Sequence, residues 1–263
     1  MPAITDLACT RDTYAFEKRG CRVLEVTADD DGKTTCVVLD ATIAYPQGGG
    51  QPCDFGRITG ERGWRLDYDS VTIRRDDGAV EHRGTASGDV RVGDACDVTV
   101  DEERRRVHAR IHSAGHALDV AMLRLGIDGK TLEPTKGQHG ATEAYVEYKG
   151  KLDETHAYGD KEKLMRALES EMANIIAEGG MSEAAELAYE DAVKACDGAM
   201  PSFITPDMKP RIVTIIPNTP GCPCGGTHVK SVSEIVDFKC TGVRVKKGVT
   251  RVSYSIPGME SWQ

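Results

Sequence analysis

The chain carries His112-Ser113-Ala114-Gly115-His116, two imidazoles four residues apart. On an α-helix that interval is close to one turn, so both rings stand on one face, near enough to share a metal ion. Far downstream, Cys224-Gly225-Gly226-Thr227-His228 offers a thiolate and an imidazole at the same interval. Three nitrogens and a sulfur form a donor set suited to zinc, and their softness disfavours calcium or magnesium. One Zn2+ per chain, held by His112, His116, Cys224 and His228, is therefore the expectation. Cys224 lies 108 residues beyond His116, so only the fold can bring the halves together. His108, one turn before His112, and Cys222, two residues before Cys224, compete for places in the set. A zinc peptidase would put a glutamate base directly after the first histidine, and here that position is Ser113. Asp119, a turn beyond His116, is a candidate to orient an imidazole.

A second constellation is Tyr45-Pro46-Gln47-Gly48-Gly49-Gly50-Gln51-Pro52. Consecutive glycines reach backbone conformations closed to other residues and let a phosphate or ligand backbone come close. The same residues also suit a tight connection between two strands.

The elements that must position these groups fall into two regions. Residues 1–98 read as short strands with close turns: β-branched runs at 21–27 and 34–39 flank Asp29-Asp30-Asp31-Gly32, and further strands are predicted at 64–68, 71–75, 80–83 and 90–100. That pattern predicts a small N-terminal β-barrel. At Asp101 the period changes. Val107, Ile111, Ala114, Leu118, Met122 and Leu125 recur at spacings of three and four behind an Asp101 cap, with Gly126 as the stop. A strand is predicted at 141–148, helices at 161–177 and 182–195, and strands at 212–216, 235–238, 243–246 and 249–255. Residues 99–263 thus read as a two-layer α+β domain holding the zinc site, and the whole chain as α+β.

Composition narrows the class. Of 263 residues, 40% are hydrophobic and 29% charged, enough for a core and unlike a disordered chain. No apolar run reaches the ~18 residues of a membrane helix, and the N-terminus lacks the pattern of an export signal. Nine cysteines, an odd number, suit reduced thiols in the cytoplasm better than a disulfide framework. Membrane and secreted classes are set aside on these grounds. The net charge of −9 argues against a general nucleic-acid surface, yet the last 35 residues hold six basic against three acidic groups. Lys239, Arg244, Lys246, Lys247 and Arg251 form a patch that either meets phosphate or is a solvated strand face.

Together these motifs resemble the AlaX family of freestanding alanyl-tRNA editing proteins, which are similar to the editing domain of alanyl-tRNA synthetase. The resemblance rests on His112–His116, on Gly221-Cys222-Pro223-Cys224-Gly225-Gly226-Thr227-His228-Val229 and on the Gln47–Pro52 segment. It extends to Lys136-Gly137-Gln138-His139, to Ala144-Tyr145-Val146-Glu147-Tyr148-Lys149-Gly150 and to Gly248-Val249-Thr250-Arg251-Val252-Ser253-Tyr254, in order along the chain. The length resembles the medium-sized form, with an N-terminal barrel and no C-terminal extension. The resemblance implies a zinc-dependent hydrolase that removes serine or glycine from mischarged alanine tRNA. It also implies that the loop at Gly48, Gly49, Gly50 and Gln51 contacts the tRNA acceptor stem. Thr135 then stands where the family places a pocket residue, and its hydroxyl would read the hydroxyl of serine. Gln138 and His139 are candidates to position substrate. Two other readings stay open: a non-catalytic zinc-stabilised tRNA adaptor of the same fold, and an editing hydrolase for another tRNA such as that for threonine.

Overall fold

The computed structural model describes residues 5–28 and 32–259. These residues divide into two compact units, with the boundary between Arg106 and Val107. The turn expected at Asp29-Asp30-Asp31 lies outside the described residues.

In the first unit, strands β1 (Glu17–Ala28), β2 (Thr35–Leu39), β3 (Gly56–Gly60), β4 (Arg65–Ile73), β5 (Val80–Ser87) and β6 (Ala95–Val100) form a closed barrel. The order around it is β1-β2-β5-β4-β3-β6, and every neighbouring pair is antiparallel. Alternate residues point inward, so Val23, Val37, Leu39, Ile58, Leu66, Val71 and Val98 are buried together. A Cβ at Gly60 would fall 2.1 Å from the Trp64 ring, so only glycine lets that indole fill the barrel. The two strands expected at 64–68 and 71–75 are one, β4, because a bulge between Tyr68 and Ser70 absorbs the break in alternation. Strand β3 went unpredicted: its sequence, Gly-Arg-Ile-Thr-Gly, has weak strand propensity, and pairing on both edges holds it.

The glycine-rich segment hangs from this barrel by a buried polar knot. Asp54, fully buried, accepts the backbone N–H of Tyr45 at 2.7 Å, and its own N–H donates to the Tyr45 carbonyl at 3.0 Å. Arg105, also fully buried, donates to Asp54 and to the carbonyls of Thr13 (2.9 Å) and Ile43 (2.5 Å). Gly48 and Gln51 exchange backbone hydrogen bonds across a turn in which Gly49 and Gly50 take φ of 54° and 78°. A residue with a Cβ would be strained at either position.

Helix α1 (Glu102–Arg124) begins in the first unit and continues into the second. The Asp101 carboxylate accepts the N–H of Arg104 at 2.9 Å, and Glu102 and Glu103 face the positive end of the helix dipole. The second unit contains a four-stranded antiparallel sheet built from β7 (Glu133–His139), β8 (Ala144–Lys149), β12 (Lys239–Lys246) and β13 (Val249–Ser255), in the order β12-β13-β8-β7. Helix α2 (Lys161–Glu178) is capped by Asp160, which accepts the N–H of Lys163, and it ends at Gly179 with φ of 68°. It packs on β12 and buries Leu164, Leu168, Met172 and Ile175. These residues share one core with Ile111, Ala114, Leu118 and Met122 of α1.

A smaller sheet joins β9 (Glu183–Glu186), β10 (Arg211–Thr214) and β11 (Cys222–Pro223). Here the sequence misled. The helix expected at 182–195 is strand β9 followed by the short helix α3 (Tyr189–Ala195). Glu-Ala-Ala-Glu favours a helix in isolation, but antiparallel pairing with β10 overrides that propensity. The strand expected at 235–238 is likewise absent. A 3-10 turn occupies Val232–Glu234, and Val236 and Asp237 take positive φ before β12 begins at Lys239. Among the described residues no helix is long and apolar enough to cross a membrane.

Candidate metal centre

The helical interval places the His112 and His116 rings side by side on α1, with centroids 5.1 Å apart. The segment after β11 carries Cys224 and His228 to the same place. Its course is set by Arg211 at the start of β10, whose Nη1 donates to the carbonyls of Cys224 (2.7 Å) and Gly226 (3.1 Å). One ligand atom from each of His112, His116, Cys224 and His228 lies within 4.8 Å of the others. Cys224 Sγ is 3.4 Å from His112 Nε2 and 3.4 Å from His228 Nε2. A tetrahedral zinc with bonds of ~2.0–2.3 Å requires neighbouring donors about 3.3–3.8 Å apart, so these separations suit it. The Nε2 atom of His116 is buried with no hydrogen-bond partner among the described residues. An orphaned lone pair of this kind suits a metal ligand.

Electrostatics agree with the donor chemistry. Burial pushes the pKa of His116 down to about 4. Burial, helped by neighbouring imidazoles, also holds His112 and His228 well below the usual histidine range. All three rings are thus neutral at pH 7 and have lone pairs to donate. Burial raises the Cys224 thiol, while the Gly226 N–H at 3.3 Å and the charge of Arg211 pull it back. A thiolate here calls for a nearby cation, as metal ligation would provide.

The surroundings fix the rings. Ser113 Oγ accepts the N–H of Val229 at 3.0 Å and lies 3.4 Å from His228 Nδ1, so the serine in the peptidase-base position braces a histidine instead. Asp119 does not orient an imidazole. Its carboxyl accepts the hydroxyl of Tyr148 at 2.7 Å, and burial pushes its pKa up to about 7. His108 and Cys222 lie outside the four-residue group.

A fourth imidazole borders the cluster. His139, at the end of β7, is 6% exposed and stacks on His112 with ring centroids 4.3 Å apart and planes 16° from parallel. Burial pushes its pKa down to about 3. Its Nδ1 lies 2.8 Å from the Tyr254 hydroxyl, which donates onward to the Ile111 carbonyl at 2.9 Å. Nothing in the spacing of the chain pointed to Tyr254 or Arg211, because their partners lie far away in sequence.

The other expected site residues are dispersed. Strand alternation puts Gln138 on the face of β7 opposite His139, paired with Tyr145. Since His139 faces α1, Gln138 points away from the cluster, and the structure separates the two candidates. Thr135 is exposed beside the β7–β8 bulge and donates its hydroxyl to the Glu147 carbonyl at 3.0 Å. Gly48, Gly49 and Gly50 form the turn of the first unit described above. Gln51 is 1% exposed and closes that turn through its backbone bonds to Gly48. The basic patch is also reduced: Arg251 pairs with Glu147 at 2.8 Å and Glu143 at 3.2 Å and stacks over Tyr145.

Residues 211–253 match the domain described as the threonyl and alanyl tRNA synthetase second additional domain. That stretch holds Cys224, His228 and Arg211. The chain is also similar to alanine–tRNA ligases over most of its length. The enzyme of Anaeromyxobacter dehalogenans is 33% identical over 88% of this chain and 24% of its own. That of Caldivirga maquilingensis is 30% identical over 96% of this chain and 27% of its own, and that of Thermoplasma acidophilum 28% over 86% and 25%. The chain spans about a quarter of the length of these curated relatives. These matches agree with the resemblance to the AlaX family carried by the sequence motifs.

Proposed function

We propose that this protein is an aminoacyl-tRNA hydrolase that edits in trans, releasing serine or glycine from mischarged alanine tRNA. The observation that carries the reading is the convergence of His112, His116, Cys224 and His228, from both ends of the second unit, within one ligand sphere. Similarity to alanine–tRNA ligases supports tRNA as the partner, and the cytoplasm is the compartment such a partner implies.

The need for such an activity is physical. A pocket shaped for alanine gains little selectivity against glycine, which lacks a methyl, or against serine, which adds a hydroxyl. A second site can select what the first should reject. In this reading the two-layer α+β part, residues 99–263, holds the aminoacyl ester. Residues 1–98 contact the acceptor stem through the backbone of Gly48, Gly49 and Gly50, with Gln51 bracing the turn. The four ligands would hold zinc, which when bound supplies Lewis-acid polarisation of the ester carbonyl. Thr135 recognises the serine hydroxyl with its own, after giving up or sharing its bond to Glu147. The buried neutral imidazoles hold the ligand set rigid, and Arg211 fixes the loop that delivers two of its members.

The test is release of amino acid from seryl-, glycyl- and alanyl-tRNA for alanine by zinc-loaded protein, alongside His116→Ala. Hydrolysis of the first two and sparing of the third, abolished by the variant, is expected. Binding of tRNA with no release would instead make the protein a zinc-stabilised adaptor. Thr135→Val is expected to lower the serine-over-alanine preference; an unchanged preference removes the role given to Thr135.

A further inference from the structure

The contacts of His139 define more than a packed ring. The Tyr254 hydroxyl has one proton, and its geometry commits that proton to the Ile111 carbonyl, 2.9 Å away. The tyrosine oxygen can therefore only accept from His139 Nδ1, 2.8 Å away, which places the imidazole proton on Nδ1. Nε2 is left with its lone pair, and the side chain as a whole is more than nine-tenths buried.

The ring is seated with unusual care. A Cβ at Gly115, between the two histidines of α1, would fall 2.4 Å from His139 Cε1. A Cβ at Gly137 would fall 2.3 Å from Nε2 itself. Both neighbours are glycine, and the His112 ring covers one face of the imidazole. The outcome is a fixed hydrogen-bond acceptor beside the four-ligand cluster.

We propose that His139, through Nε2, holds the attacking water of the hydrolysis. This rests on the function proposed above. The water donates one hydrogen bond to Nε2, which turns an oxygen lone pair toward the ester carbonyl carbon. The new carbon–oxygen bond forms and the bond from that carbon to the ribose oxygen breaks. One water proton ends on the ribose oxygen, and the other leaves to solvent as the released carboxyl ionises. His139 acts by orientation, and Tyr254 is the positioning residue that sets its tautomer.

Two readouts test this. Nitrogen-15 spectra of the zinc-loaded protein, with His139 assigned by its loss in His139→Gln, should show Nδ1 protonated and Nε2 bare. A proton on Nε2 overturns the proposal whatever the activity. In steady-state deacylation of seryl-tRNA, His139→Leu should lower kcat about 100-fold with KM and zinc content unchanged. His139→Gln, which keeps an acceptor, should recover part of that loss, and Tyr254→Phe should lower kcat with zinc retained. Unchanged kcat in His139→Leu, or a change in KM alone, contradicts water holding. Wild-type protein that releases no amino acid from any of the three tRNAs would defeat the functional reading separately, since the tautomer is read without turnover.

Discussion

Gly115→Ala sets two effects of known size against each other. In the interior of a helix, alanine is favoured over glycine by about 1 kcal/mol, mainly through backbone entropy. At an unobstructed helical position that gain would be expected in full. At Gly115 the new methyl would meet His139 Cε1 at 2.4 Å, His139 Nδ1 at 2.8 Å and the Tyr254 hydroxyl at 2.9 Å. None of these is a flexible chain end: the imidazole is clamped against His112, and the hydroxyl is held by two hydrogen bonds. Overpacking of a closed site costs about 1–3 kcal/mol, and disturbing a buried hydrogen bond adds about 1 kcal/mol. The balance is net destabilisation of about 1–3 kcal/mol, with deacylation lowered because His139 and the α1 histidines are pushed apart. Calorimetric melting of the zinc-loaded protein measures it, with an expected fall in Tm of several degrees at about 2–4 °C per kcal/mol. A variant as stable as wild type, or more so, with full activity, would show that the ring is not clamped.

Other predictions follow from the same contacts. Asp54→Ala leaves the fully buried Arg105 guanidinium without its carboxylate and frees the Tyr45 N–H, so urea denaturation should show a loss of about 3–5 kcal/mol. His82, fully buried between Thr42 and the Val37 carbonyl, has its pKa pushed down to about 4 by burial, so the unfolded chain binds this proton more readily than the folded one. Stability should therefore fall as pH drops from about 6.5 towards 4, by up to about 3 kcal/mol from this residue, and a pH series with no difference between wild type and His82→Gln would contradict it. Ser113→Ala removes the brace on His228 and should weaken zinc binding about 10- to 100-fold in competition with a chelator, whereas Ser113→Thr should retain most of it.

Much of the metal cluster could be read along the chain, for a physical reason: helical period is local. Val107, Ile111, Ala114 and Leu118 mark the buried face of α1, and the same period aligns His112 with His116. The approach of Cys224 and His228 was legible only as donor chemistry, because a separation of 108 residues is closed by tertiary packing. Strand β9 defeated local reading because its partner, β10, outweighs the helical preference of Glu-Ala-Ala-Glu. Strand β7 was hidden by Pro134 and Gly137, poor strand formers held by pairing with β8. With β7 unseen as a strand, nothing separated Gln138 from His139 as candidates to position substrate. Pleating sends them to opposite faces, and only His139 reaches the histidines of α1.

X-ray absorption at the zinc edge of the purified, metal-assayed protein tests the centre most directly. One zinc per chain is expected, with one sulfur at about 2.3 Å and nitrogen neighbours at about 2.0–2.1 Å, and with the sulfur shell lost in Cys224→Ala. A stoichiometric zinc without a sulfur neighbour, or a protein that takes up no zinc, would contradict that expectation.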